Sequence, residues 1–435
     1  MASSIKKGTL TNRQSRRLRA QFSHIYDHNA FFRDLYQRAG FSPENFDESA
    51  FFDIPFTTKD DFRANYPTGH LCCPSDAVVR AHMSSGSTGA PVTMLYTEKD
   101  LEMWTRIMRH CFLVAGVGPR DIVQNMNSLG LFTGGFGYEM GLESVGAMVI
   151  PSAAGNTERQ IRLMREWDTT VLAGTPSYVG YVAEILKEKG INIQNELKLR
   201  LALVGGEYCS DHLKSRIEDS LALRFHGGGL RRCYGLTELG GPLAMECPAS
   251  NGIHIWSRWY YAEAIDTENL RSLSAGGRGE LVLSNLAFEA TPVLRFRTGD
   301  IVTLDLSRCA CGRSDPRITA FHGRTDDMMV VGGVNVLPAS IEDVLLGNSE
   351  LGEAWRLFID EEKGLPRLTV QVEVRRRFHL DAPGLKSKVE TQLKQATGVT
   401  IKVVLASLGS LPRSEGKSTR VIDRRTDRMR AGKEL

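Results

Sequence analysis

No stretch of this chain reaches the roughly 18 consecutive apolar residues that a helix needs to cross a bilayer, which excludes a helical membrane protein. Cysteine is sparse. Eight in 435 residues cannot staple a fold of this length, so grouped cysteines are read first as metal ligands. Net charge is nearly absent too: 54 Lys and Arg against 51 Asp and Glu give +3, too little to select a nucleic acid or an acidic partner. The one local excess, eight Lys or Arg against four Asp or Glu over residues 413–435, has no aromatic interleaved and reads as a solvated tail. Residues 1–21 are basic with no apolar segment behind them, so no leader is expected and the expected location is cytoplasmic. The GxxxxGK[ST] nucleotide loop is missing. Gly135-Phe136-Gly137 with Gly141 is one residue too long for the dinucleotide fingerprint and does not read as opening a helix after a strand. No serine nucleophile elbow, internal repeat or low-complexity tract occurs.

What is present is an ordinary globular composition, 42% hydrophobic and 24% charged, in a chain long enough for one large domain and a smaller one. Phe31, Phe32, Leu35 and Tyr36 lie at helical spacing within residues 20–65. Short apolar runs at 147–150, 171–173 and 201–204 then alternate with helical segments, which predicts an α/β sheet. Thr157 with Gln160 reads as a capping box, and Thr175-Pro176 as an N-cap and first-turn proline of a helix ending near Gly190. Runs at 280–283, 294–296 and 301–304, separated by polar turns, predict a β-rich subdomain. The polar segment Gly323-Arg324-Thr325-Asp326-Asp327 marks a boundary. Beyond it a helix at 340–346, a strand at 368–374, a helix at 385–396 and a strand at 399–405 predict a small α+β domain. The expected fold class is α/β, with a large N-terminal domain (residues 1–325) of mixed sheets and a C-terminal domain (326–435).

Several stretches carry chemistry. Ser84-Ser85-Gly86-Ser87-Thr88-Gly89 sets four hydroxyls and two glycines in six positions, ahead of Ala90-Pro91. Glycines let backbone N–H groups turn toward a ligand and the hydroxyls add donors, which suits a polyphosphate; a solvent loop is the plain alternative. Tyr234-Gly235-Leu236-Thr237-Glu238 places a hydroxyl beside a carboxylate, hard oxygens able to hold Mg2+. Arg295-Phe296-Arg297-Thr298-Gly299-Asp300 presents a carboxylate at a strand end, where it could accept both hydroxyls of a ribose or sit in a surface turn. Leu411-Pro412-Arg413-Ser414-Glu415-Gly416-Lys417 puts a lysine on a loop that no core packing needs, as a departing pyrophosphate or an attacking carboxylate requires. Cys247 and His254 on one loop, with Cys309-Ala310-Cys311, supply three thiols and an imidazole, the number and type for tetrahedral structural zinc; buried free cysteines are the alternative. Cys72, Cys73, Cys111, Cys209 and Cys233 read as packing residues.

Taken in order, with the Gly323 to Asp327 segment, these pieces resemble the superfamily of acyl-CoA synthetases, peptide-synthetase adenylation domains and luciferases. Leu131-Phe132-Thr133-Gly134-Gly135, Gly174-Thr175-Pro176-Ser177-Tyr178, Gly332-Gly333-Val334-Asn335-Val336 and Arg413-Ser414-Glu415-Gly416-Lys417 resemble the phenylacetate-coenzyme A ligases, over residues 25–425. The resemblance implies ATP-dependent conversion of a carboxylic acid to an acyl-adenylate, then thioester formation with coenzyme A. By that likeness Ser84 to Gly89 wrap the triphosphate, Glu238 with Thr237 holds Mg2+, and Asp300 binds the ribose. Tyr234, beside Gly235, stacks on adenine, Glu207 lines the adenine and acid pockets, and Arg324 assists at the ribose or phosphates. Lys417 bridges the carboxylate and α-phosphate, then leaves as the small domain rotates about a hinge at Asp326. Gly332 and Gly333 let pantetheine pass, and Leu129, Phe132 and Phe136 enclose an acid expected to be aromatic.

Ala90 departs from the pattern, since many members carry Lys there, and ATP affinity is what this puts at stake. Some phenylacetate-ligase-like proteins also carry a Cys/His cluster similar to the one above. The implied partners are a small carboxylic acid and coenzyme A, with no nucleic acid and no membrane, and the resemblance leaves room for a homodimer. Transfer to a carrier-protein pantetheine or an amine, or adenylylation of a deazaflavin, are the rival outcomes. An inactive nucleotide-binding regulator fits less well with Glu238, Asp300 and Lys417 in place.

Overall fold

In the computed structural model, which describes residues 10–84, 91–325, 327, 329–331, 334–362, 365–375, 384–412 and 420–424, the chain opens with α1 (Asn12–His28) and α2 (Ala30–Arg38). Their spaced aromatics make one small core: Phe22, Phe32 and Tyr36 are buried together, and the Phe22 ring stacks on Phe46 at 4.1 Å. After α3 (Lys59–Ala64), β1 (Arg80–Met83) and β2 (Thr93–Tyr96) pair antiparallel, and α4 (Glu98–Ala115) follows.

An alternation then builds half of an eleven-stranded sheet. It runs β3 (Ile122–Asn125), α5 (Thr133–Val145), β4 (Met148–Ile150), α6 (Thr157–Glu166), β5 (Val171–Gly174), α7 (Pro176–Glu188), α8 (Ile193–Glu196), β6 (Leu201–Val204), α9 (Asp211–Ser220) and β7 (Gly229–Leu236). β4, β3, β5, β6 and β7 are neighbours in that order, all parallel. These strands read as unbroken apolar runs because both faces are covered. Val171, Ala173, Leu201 and Leu203 enter one core, and Leu172, Ala202 and Val204 the other.

β7 is the junction: its first half pairs parallel with β6, its second half antiparallel with β8 (Gly241–Glu246). β9 (Ile253–Ile255), β10 (Tyr260–Ile265), β11 (Arg278–Asn285), β12 (Phe296–Asp305) and β13 (Arg317–Arg324) complete the sheet, in the order β8-β9-β13-β12-β11-β10. The seam between β9 and β13 consists of two residue pairs, Arg317 with His254 and Ile318 with Ile253. Past Arg324 come the β14 (Met329–Val331) and β15 (Val334–Val336) hairpin, α10 (Pro338–Leu346), β16 (Leu351–Glu362), β17 (Leu365–Val374), α11 (Leu385–Thr397), β18 (Ile401–Ala406) and β19 (Val421–Asp423). The last four strands form a separate sheet, β18-β17-β16-β19, whose core takes Ile341, Leu345, Val389 and Leu393 from the two helices. The architecture is the expected α/β class with a C-terminal α+β unit.

Local readings change in four places. The two strands expected at 294–296 and 301–304 are one strand, β12. Its register against β11 jumps from Arg297 opposite Val282 to Ile301 opposite Glu280, so the polar Thr298-Gly299-Asp300 is a bulge within a strand, with Gly299 at φ +77°. The cap of α6 is Asn156, which accepts from the Arg159 N–H, while the Gln160 side chain turns back to the carbonyls of Ala153 and Gly155. Gly135, Gly137 and Gly141 lie inside α5, after β3. A Cβ at Gly137 would overlap the Trp104 ring and one at Gly141 the Met108 side chain, so these glycines let α5 lie close against α4. His254 stands on β9, and Cys247 is the first residue past β8. Among the described residues no helix is long and apolar enough to cross a membrane.

Candidate active site

The carboxyl ends of β5, β6 and β7 lie together, and in an open α/β sheet the crevice beyond such ends is where ligands lodge. Thr175 and Ser177 follow β5, Glu207 follows β6, and β7 carries Tyr234 in its final half. Thr175 caps α7 by accepting from the Tyr178 N–H, with Pro176 in the first turn as the sequence predicts. Glu207 Oε2 accepts from the Ser177 N–H at 3.3 Å, at the helix end where the aligned peptide dipoles favour an anion. Its other oxygen, Oε1, is buried with no hydrogen-bond partner among the described residues.

Asp300 is the most tightly built group. The Tyr234 hydroxyl donates to its Oδ2 at 2.7 Å, and the Arg324 guanidinium meets Oδ1 at 2.5 Å. Arg324 also donates to the Thr298 carbonyl at 3.2 Å, and the Asp300 N–H donates to the Thr298 hydroxyl at 3.1 Å. The bulge in β12 thus turns the carboxylate out of the ladder, and β13 returns Arg324 beside it. Burial, with the nearby Asp300 charge adding to it, pushes the Tyr234 hydroxyl up, so it stays a donor. Its ring lies 5.5 Å from that of Phe321. Gly235 is required for closeness, since a Cβ there would overlap the Gly241 carbonyl oxygen on β8.

Thr237 and Glu238 begin the short 3-10 turn after β7 (Thr237–Leu239). Glu238 is 3% exposed, and Lys59 Nζ at the start of α3 stands 3.9 Å from its Oε1. Lys59 carries no signal in the sequence: it sits beside the Thr58 cap among ordinary polar residues. Ser84 and Val92 are clamped together, the Ser84 N–H donating to the Val92 carbonyl and the Val92 N–H to Ser84 Oγ, each at 2.9 Å. Leu129 and Phe132 are exposed ahead of α5. Phe136 is half-buried, its ring 5.3 Å from the Arg80 guanidinium and 5.4 Å from His82. Ser85, Gly86, Ser87, Thr88, Gly89, Ala90, Asp326, Gly332, Gly333 and Lys417 lie outside the described residues.

Cys247, His254, Cys309 and Cys311 converge, with one ligand atom from each lying within 4.8 Å of the others. Cys247 Sγ is 3.8 Å from Cys309 Sγ, and Cys311 Sγ is 3.5 Å from His254 Nε2. A tetrahedron with Zn–S bonds of about 2.3 Å and a Zn–N bond of about 2.1 Å has S–S edges of about 3.8 Å and S–N edges of about 3.6 Å, so the spacing suits zinc. Burial brings the His254 imidazole down to about 4, which keeps the ring neutral as a ligand must be. For Cys311 burial acts upward, yet hydrogen bonds from Arg313 and the neighbouring thiols outweigh it and bring the thiol down to about 7. The cluster joins Cys247, just past β8, and His254, on β9 in the two-pair seam of the sheet, to the turn between β12 and β13.

Residues 26–287 match the family model of the AMP-binding enzyme, and residues 333–425 that of the AMP-binding enzyme C-terminal domain. The phenylacetate-coenzyme A ligase of Pseudomonas putida is 36% identical over 96% of this chain and 94% of its own length. That of Thermus thermophilus is 34% identical over 95% and 96%. Among solved structures, 2-hydroxyisobutyryl-CoA ligase in its postadenylation state superposes with a TM-score of 0.86 at 25% identity, covering 96% of this chain and 90% of that one. The same ligase in its thioesterification state gives 0.68 at 26% identity, covering 96% and 91%. The whole-chain arrangement here is therefore nearer to the postadenylation one.

Proposed function

The chain belongs to the AMP-binding enzymes and is an AMP-forming acid–coenzyme A ligase, and from that premise we propose that its substrate is an aryl or arylacetic acid, activated and thioesterified in the cytoplasm. The names of its relatives and the apolar Leu129, Phe132 and Phe136 support the acid class. Eight cysteines, none of them in a disulfide, suit a reducing compartment. In the first step a carboxylate oxygen of the acid attacks the α-phosphorus of ATP. The acyl–O–P bond forms, the bond to the β-phosphate oxygen breaks, and pyrophosphate leaves. In the second, the thiol sulfur of coenzyme A attacks the acyl carbon: the C–S bond forms, the C–O bond breaks, AMP leaves, and the thiol proton passes to solvent.

The observation that carries the site assignment is the Asp300 carboxylate, held by the Tyr234 hydroxyl on one oxygen and the Arg324 guanidinium on the other. An acceptor already oriented loses little in reorganising when two ribose hydroxyls reach it. Tyr234, next to Gly235, would then lie against adenine, and Glu207 Oε1 would gain a donor from the bound ligand. Ser84, Ser85, Gly86, Ser87, Thr88 and Gly89 would cradle the triphosphate. Thr237 and the buried Glu238 fit Mg2+, because the lysine beside Glu238 stands beyond hydrogen-bond distance and leaves oxygen lone pairs for a hard cation. That ion would offset phosphate charge. Lys417 would bridge the carboxylate and the α-phosphate in the first step only. Residues 326–435 would turn about Asp326 against residues 1–325, bringing Gly332 and Gly333 to the pantetheine arm. Zinc at Cys247, His254, Cys309 and Cys311 would tie two turns together, since four protein ligands leave no open position for catalysis.

The test is a panel of aryl and arylacetic acids with ATP and Mg2+, read by pyrophosphate release with and without coenzyme A. Arylacetic acids are expected to give the fastest release and a coenzyme A thioester. Release with no thioester would move the acceptor to a carrier-protein pantetheine or an amine.

A further inference from the structure

The C-terminal sheet meets the large domain through α10 and the start of β16. Leu346 of α10 is buried in the core shared by α7 and α9, and polar pairs flank it. The register of β16 against β17 slips between Leu351 and Trp355, so that four steps on β16 answer two on β17. Such a bulge re-aims a side chain, and here Glu353 reaches the large domain. Its carboxylate stands 3.5 Å from the Arg216 guanidinium of α9, the two side chains 13% and 14% exposed. Arg216 also donates to the Leu351 carbonyl at 3.3 Å. Gly180 of α7 makes the room, since a Cβ there would overlap Glu353 Oε2. On the same face, the Tyr208 hydroxyl donates to Asp343 of α10 at 3.1 Å.

We propose that the Arg216–Glu353 pair, seconded by Tyr208–Asp343, is a latch that holds the C-terminal domain in this arrangement once the acyl-adenylate has formed and opens for thioester formation. The proposal rests on the ligase reading and deepens it: these are positioning residues that govern entry into the second half-reaction. The arrangement that the latch holds is the one nearer to the postadenylation state. Its strength is limited by its own chemistry. Nε and Nη1 of Arg216 are buried with no hydrogen-bond partner among the described residues. A cation that is desolvated and only partly paired gains little net energy in place, so the contact specifies an arrangement without locking it. Burial, with Arg375 nearby, lowers the guanidinium's pKa, in keeping with an incompletely compensated charge. A contact of that kind lets one enzyme alternate between two arrangements within a turnover.

Two assays on the full chain separate the half-reactions: acid-dependent ATP–pyrophosphate exchange, and thioester formation from supplied acyl-adenylate and coenzyme A. Glu353→Gln leaves Arg216 buried beside a neutral group, weakens the hold, and should raise thioester formation from supplied acyl-adenylate about threefold while exchange stays level. Gly180→Ala, which favours the helix itself, intrudes on Glu353 and should likewise raise thioester formation and leave exchange level, without loss of thermal stability. Equal loss in both assays, or an unraised thioester rate in both variants, would overturn the latch. An unaltered enzyme with no acid-dependent exchange would overturn the ligase reading instead, so the two failures are told apart.

Discussion

The ribose assignment hangs on one carboxylate. Each charge-assisted hydrogen bond that Asp300 would make to a ribose hydroxyl is worth about 1.5–3 kcal/mol, so Asp300→Ala should raise the KM for ATP tenfold or more. ATP titration of the initial rate checks this, with the thermal midpoint as a control because Arg324 loses a partner. An unchanged KM would remove Asp300 from the nucleotide site. The residue itself is legible in the Arg-Thr-Gly-Asp run, but its setting is not. Tyr234 and Arg324 stand 66 and 24 residues away in sequence, and only the fold brings their donors to its two oxygens. Lys59 was invisible for the same reason: a lone lysine at a helix start acquires meaning only when Glu238 is buried beside it. The metal ligands were legible as residue types, whereas the tetrahedral spacing of their atoms is a tertiary result.

At the level of elements, apolar period and cap chemistry located α7, α11, β5, β6, β11, β17 and β18, and the failures have local causes. Glycines weaken the helical signal of α5 although they are what allow it to approach α4. Thr298-Gly299-Asp300 has turn chemistry, and the structure uses it as a bulge inside a strand whose pairing with β11 continues on both sides and whose pairing with β13 starts at Asp300. The same continuity explains why a metal there would matter. β9 and β13 share two residue pairs, so the Cys247, His254, Cys309 and Cys311 cluster would reinforce the thinnest seam of the sheet. Purified protein is expected to hold about one zinc per chain, and Cys309→Ser with Cys311→Ser should release it and lower the thermal midpoint by several degrees. Elemental analysis and a thermal scan decide the matter. Metal-free protein with the same midpoint as the double variant would reduce the cluster to packing.

For the whole molecule, the succession of motifs pointed to the family that the matches over residues 26–287 and 333–425 show. How the two domains sit together was not legible. Arg216 and the Leu351 carbonyl that it meets are 135 residues apart, and Glu353 reads in the sequence as one more surface acid. A bulge and a glycine, neither meaningful alone, turn it toward α9. The central claim is that one site performs adenylation and thioester formation in turn, with the Lys417 ammonium needed for the first alone. Lys417→Ala tests it most directly when pyrophosphate exchange and thioester formation from supplied acyl-adenylate are measured side by side. Exchange should vanish while thioester formation persists near the unaltered rate; loss of both to the same degree would contradict the account.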